Sequence, residues 1–110
     1  MKKVTPKYSF SDRVVWLARK IPKGKVSTYG RIARAAGGGG MAAQSITSIL
    51  SKAYDNGATD IPFHRIVYAD GRIWVNEHYR KQRMKLYRQE GIEIDENDRI
   101  TYFHDHLFEF

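Results

Sequence analysis

The side chains that could do chemistry here are four histidines, a late run of acids, and one compact stretch, Ile61-Pro62-Phe63-His64-Arg65. The 110 residues contain no cysteine. That removes a thiolate nucleophile, a zinc–thiolate site and a disulfide framework. His104-Asp105-His106 has metal-like content, and two histidines two apart in a strand would point the same way. No third ligand stands near them, so no metal site is expected. Glu90, Glu93, Asp95, Glu96 and Asp98 lie in a polar, turn-rich segment without the spacing of a carboxylate pair, and solvation accounts for them better. Gly37-Gly38-Gly39-Gly40 lacks the following Lys-Ser/Thr of a phosphate-binding loop. No nucleophile–base pair emerges, and neither enzyme activity nor a cofactor is expected.

Charge points to a partner instead. The net charge is +7 and the isoelectric point about 9.8, a balance that favours a polyanion. Residues 1–54 carry 11 Lys or Arg against one acid, Asp12, a balance of +10; residues 55–110 carry 8 against 11, a balance of −3. The N-terminal half is therefore expected to face phosphate. No apolar run approaches the ~20 residues of a membrane span. Met1-Lys2-Lys3-Val4-Thr5-Pro6 has no apolar stretch of a secretory signal.

The elements that must position these groups are short. Ser11 can cap a helix with Val14, Leu17, Ala18 and Ile21 on one face. Thr28 can cap a second helix, Tyr29 to Ala36, burying Ile32, Ala33 and Ala36. The four glycines make a turn, and a third helix is predicted from about Met41 to Tyr54, burying Ile46, Ile49, Leu50 and Ala53. Two helices around a glycine turn read as a helix-turn-helix. Ile66-Val67-Tyr68 and Arg72-Ile73-Trp74-Val75 flank Ala69-Asp70-Gly71 and read as a hairpin, hence a wing. A basic helix from about His78 to Glu90 ends at Gly91; Ile92–Ile94 and Arg99–Phe103 look extended. The aromatic tail, Tyr102 to Phe110, is expected to cover the core. The fold expected is mainly α with a small β-hairpin, a single winged helix-turn-helix DNA-binding domain over 1–110.

Pro62, His64 and Arg65, with Ile66-Val67 after them, resemble the Pro-Cys-His-Arg motif of the O6-alkylguanine-DNA alkyltransferases, with Phe63 where the reactive cysteine stands. Lys25-Val26-Ser27-Thr28-Tyr29 is similar to the segment that opens that family's first helix-turn-helix helix. Asp70-Gly71-Arg72 is similar to its following turn, and Gln89-Glu90-Gly91 to its closing Glu-Gly. Each match is weak alone, but their order over Phe10 to about Ile94 is specific. The family attacks alkylated guanine with a thiolate, and a phenyl ring has no lone pair to offer. The resemblance therefore implies an alkyltransferase-like protein that binds O6-alkylguanine in duplex DNA without repairing it.

The resemblance also assigns roles. A recognition helix in the minor groove needs small residues, and Ala42, Ala43, Ser45 and Thr47 supply them; readout there is poor in sequence information, which suits a lesion sensor. The lesion must leave the stack to be inspected. Tyr29 would crowd the phosphate beside the flipped nucleotide, or else be a core tyrosine. The family's intercalating arginine is absent; Gln44 stands there, or Ala43 if the longer glycine turn shifts the register. Phe63 would line the lesion pocket with His64, Arg65 and the lip Trp74-Val75-Asn76, or else fill the core. His64 and Glu90, with no thiol to activate, would form a structural network. The implied partners are damaged duplex DNA and nucleotide excision repair proteins, for a monomer in the cytoplasm or nucleus. A generic winged-helix regulator that has lost lesion recognition is the rival reading, and Gln44 supports it.

Overall fold

The computed structural model describes residues 8–110, so the basic opening Met1–Pro6 lies outside the described residues. Helix α1 spans Phe10–Arg19. Its cap is Ser9, not Ser11: the Ser9 hydroxyl accepts from Asp12 N at 3.1 Å and the Asp12 carboxylate accepts from Ser9 N at 3.0 Å. This reciprocal pair satisfies two N–H groups at once, which Ser11 could not do. Val14, Leu17, Ala18 and Ile21 are all buried as the spacing predicts.

Strand β1 (Ser27–Thr28) runs directly into α2 (Tyr29–Ala35), and the Thr28 hydroxyl caps it by accepting from Arg31 N at 3.1 Å. The glycine turn closes α2 with two hydrogen bonds, Gly37 N to Arg34 O and Gly38 N to Ala33 O, with Gly37 at φ +89°. This is the six-to-one closure that favours glycine. The third helix differs from expectation. Ala42–Ser45 is a 3-10 turn, and α3 begins only at Ile46 and ends at Asp55. No side chain caps it, and Ser45 Oγ donates back to Ala42 O at 2.8 Å. Such a local bond competes with the regular ladder and tightens the entry.

The expected hairpin is replaced by a parallel pair. Strand β2 (Ile66–Val67) pairs with β1, Ser27 opposite Ile66 and Thr28 opposite Val67. The turn at Asp70-Gly71 is present, with Tyr68 N donating to Arg72 O at 2.9 Å, but Arg72 then bridges to Arg99. Burial explains the choice. Neighbouring strand residues face opposite ways, so Ile66 joins the core of α1, α2 and α3 while Val67 joins a second core with Val26, Ile73, Tyr87, Ile92 and Ile100. A solvent-facing hairpin would have buried one face only. The fold is therefore mainly helical with a small two-stranded sheet.

Helix α4 spans Arg80–Gln89 and stops at Gly91, φ +73°. Ile94 and Ile100 bridge, as the extended reading of both segments predicts, but Tyr102 is left-handed and Phe103–His106 forms a short helix, α5. Only part of the tail covers the core: Phe103, Leu107 and Phe108 pack on it while Tyr102 and Phe110 are exposed, and Val26 N donates to His106 O and Phe108 N to Val26 O, both at 2.8 Å. His106 Nδ1 lies 2.9 Å from Gly24 O, and no cluster of metal-ligating residues occurs among the described residues. No helix among them is long and apolar enough to cross a membrane.

Candidate nucleic-acid interface

Tyr29 opens α2, and its half-buried ring lies 5.5 Å from the Tyr68 ring. Facing it, the 3-10 turn and first turns of α3 present Ala43, Gln44, Thr47, Leu50 and Ser51. Phe63, Ile66, Trp74 and Arg83 complete a cleft of about 550 Å³. That volume falls within the roughly 300–1,000 Å³ of small-molecule sites. The structure thus brings Tyr29, Ala43, Gln44, Thr47, Phe63 and Trp74 to one place. A larger hollow of about 910 Å³ runs along α1 past Trp16 and Arg19, and none of the residues that the resemblance assigns to DNA contact or to the lesion pocket lines it.

Two of the expected DNA-contact residues, Ala42 and Ser45, and two of the expected pocket residues, Val75 and Asn76, do not line the cleft. Ala42 packs against the helical core, and Ser45 turns its hydroxyl back to the chain. Ile73 and Val75 point into the second core while Trp74, between them, faces the cleft. Asn76 is exposed, its side-chain oxygen accepting from Tyr79 N at 3.0 Å. Of Trp74-Val75-Asn76, Trp74 alone lines the cleft, because alternation sends Val75 inward.

Phe63 is half-buried between two environments. Its ring meets Tyr54 edge-on at 5.8 Å and packs on the helical core, and it also forms cleft wall. Phe63 thus serves the core and the cleft wall together. His64 and Arg65 turn away from the cleft. His64 Nε2 lies 2.7 Å from Glu90 Oε2, Arg65 Nη2 donates to the same oxygen at 2.8 Å, and Gly24 N donates to Glu90 Oε1 at 3.1 Å. Arg65 Nη1 also donates to Ile21 O at 2.9 Å, and Tyr87 Oη donates to His64 O. Burial opposes the Glu90 charge, but the Arg65, His64 and Gly24 hydrogen bonds outweigh it and hold the carboxyl down at about 2. Burial lowers the His64 pKa, with Glu90 only partly offsetting it. Burial likewise pushes Tyr87 up to about 12. The network ties the α1–β1 loop, the Pro62 segment and the end of α4 together behind the cleft wall.

Tyr29 has a raised pKa, chiefly from burial and then from Tyr68, against the opposing effects of Arg83 and Thr47. Its phenol stays protonated at neutral pH and can donate to an anion. Sequence reasoning missed Arg83 and Tyr68. Arg83 was legible only as one of five cations on a basic helix, and Tyr68 only as part of a hairpin strand.

The family model described as the DNA-binding domain of 6-O-methylguanine DNA methyltransferase matches residues 9–92. The chain belongs to this family. Within it, a DNA base-flipping protein of Vibrio parahaemolyticus is 35% identical over 95 residues, covering 84% of this chain and 89% of the relative. The DNA base-flipping protein of Escherichia coli is 32% identical over 92 residues, covering 84% and 69%. Crystal structures of S. pombe Atl1 with DNA containing O6-carboxymethylguanine (24% identity, TM-score 0.75) and of S. pombe ATL with DNA (25%, TM-score 0.70) each cover 92% of this chain and 95% of the other. The family's helix-turn-helix is α2 and α3, joined by the four-glycine turn.

Proposed function

We propose that this protein binds O6-alkylguanine in duplex DNA and holds the flipped base in the Tyr29–Phe63–Trp74 cleft, without transferring the alkyl group. The observation that carries this reading is Phe63 in the cleft wall, at the motif position where the enzymes of the family place their nucleophile, in a chain with no cysteine. The names of the relatives, base-flipping proteins and a protein bound to damaged DNA, support it. The short side chains of Ala43, Ser45 and Thr47 let α3 approach a minor groove, Gln44 fills the space left by the extruded nucleotide, and Tyr29 meets the neighbouring phosphate. Phe63 and Trp74 then offer aromatic faces to the base, each worth about 1–3 kcal/mol where stacking is achieved. The bound complex marks the lesion for nucleotide excision repair, and the protein acts as a monomer in whichever compartment holds the DNA.

The test is affinity for one duplex with and without a single O6-methylguanine, measured at several salt concentrations so that the phosphate contribution does not mask the lesion. A lesion preference that persists as salt rises is the expected result. Equal affinity for both duplexes would establish the rival, a basic helix-turn-helix binder in which Gln44 no longer supports flipping. Incubation with the lesion duplex is expected to leave the protein mass unchanged; a mass increase by one alkyl group would overturn the non-enzymatic reading.

A further inference from the structure

Among the described residues lining the cleft, Arg83 is the one charged side chain; no carboxylate lines it. Four other arginines of the C-terminal half are committed, and Arg88, which has no ion pair among the described residues, does not line the cleft. Arg65 pairs with Glu90, Arg72 and Arg99 with Asp70, and Arg80 with Asp98. Arg83 holds no ion pair among the described residues. Its guanidinium stacks 5.2 Å from the Trp74 ring centroid, and Nη1 reaches Trp74 O at a long 3.4 Å. A guanidinium presents five N–H donors in a planar fork. Arg83 is half-buried against aromatic rings, which strengthens its field relative to water. The guanidinium lies beside Trp74 in the cleft wall, and its charge opposes the rise in the Tyr29 pKa.

We infer that Arg83, stacked on Trp74, is an oxyanion receptor inside the cleft that makes the protein prefer O6-adducts ending in a carboxylate over plain alkyl adducts. This rests on the lesion-binding reading above and names the adduct class within it. A methyl adduct offers no acceptor to the fork's remaining donors once the base excludes water. A carboxymethyl adduct supplies two oxygens in the geometry that a guanidinium binds bidentately. The rival source of the same chemistry is a DNA phosphate beside the flipped nucleotide, which every duplex carries equally.

The experiment measures Kd at fixed salt for four duplexes that differ only at one guanine: undamaged, O6-methyl, O6-carboxymethyl, and the neutral O6-carbamoylmethyl amide of the same size. The wild-type protein is expected to bind the carboxymethyl duplex about tenfold more tightly than the methyl or carbamoylmethyl duplexes, the size of one charge-assisted hydrogen bond. In Arg83→Met that ratio is expected to fall to one or below, and Arg83→Lys to restore part of it, whatever the absolute affinities. The amide comparison needs no variant, so a poorly folded Arg83→Met leaves the inference testable. Equal binding of the three adducts, all tighter than undamaged DNA, would overturn the inference and leave lesion binding standing. An equal loss on every duplex in Arg83→Met, with the wild-type ratio kept, would assign Arg83 to phosphate and overturn it too. Equal binding of all four by the wild type would overturn lesion binding itself.

Discussion

At the scale of single residues, Phe63 and Gln44 carry most of the consequence. Phe63→Ala removes the aromatic face from the cleft and part of the packing against Tyr54 and the helical core. Preference for an O6-methylguanine duplex over its undamaged partner is expected to fall by roughly 5- to 150-fold, the equivalent of about 1–3 kcal/mol. Competition binding with the two duplexes measures it. Phe63→Cys puts a thiol back, but Trp74 still fills the lip and Gln44 still lacks a charge. Mass spectrometry after incubation with the lesion duplex is expected to show a minor alkylated fraction at most. Gln44→Arg supplies the missing cation at the face that meets DNA. It is expected to tighten lesion binding roughly 3- to 10-fold at fixed salt; unchanged or weaker binding would place another residue, Ala43 first, at the vacated base.

At the scale of elements, the turn between α2 and α3 sets the register of the recognition face. A Cβ on Gly38 would meet Ala42 Cβ at 2.5 Å, Phe10 Cε1 at 2.9 Å and Ala33 O at 3.1 Å, whereas Gly39 has nothing within 4 Å. Two of the Gly38 contacts are with atoms that cannot swing aside, a methyl on the 3-10 turn and a backbone oxygen. Gly38→Ala is therefore expected to destabilise by about 1–3 kcal/mol in urea unfolding. It should also weaken lesion binding, because Ala43 and Gln44 ride on the displaced turn. Gly39→Ala is expected to stay within about 0.5 kcal/mol of the wild type. Similar losses at both positions would mean that the turn acts through chain entropy rather than through contact.

The Glu90 network joins distant parts of the chain, so its effect belongs to the whole molecule. Glu90 titrates at about 2 in the fold against 4.5 as a free side chain. The unfolded chain therefore takes up that proton first, and the stability present above about pH 4.5 is lost as pH falls towards 2. His64 in the fold titrates below its ordinary 6.5, so it too is protonated more readily in the unfolded chain, and this loss starts below pH 6.5. Both act in the same direction: the melting temperature is expected to decline below pH 6.5 and to drop further below 4.5. Glu90→Gln should lower stability at pH 7 by roughly 3 kcal/mol by leaving the partly buried Arg65 short of its counter-charge, and should flatten the acid limb. An acid limb that keeps its slope in Glu90→Gln would mean that other carboxylates carry it.

What the sequence determined by itself is local or chemical. Apolar spacing and the Thr28 cap set α2, glycines stop α2 and α4, and the absence of cysteine together with Pro62, His64 and Arg65 placed the chain beside the alkyltransferases. These signals act over a few residues, within one turn or one motif, so they are legible in one dimension. Tertiary structure alone decided the rest. The parallel pairing of Ser27–Thr28 with Ile66–Val67 displaced a hairpin that its turn residues favoured, because only that pairing buries Ile66 and Val67 in separate cores. Glu90 finds Gly24 across 66 residues, Arg83 reaches the cleft beside Trp74, and Arg65, Arg80 and Arg99 are held by carboxylates that the fold brings to them. Which of the cations on α4 faces the cleft depends on how that helix packs against the rest of the chain, and no local pattern in the chain encodes that.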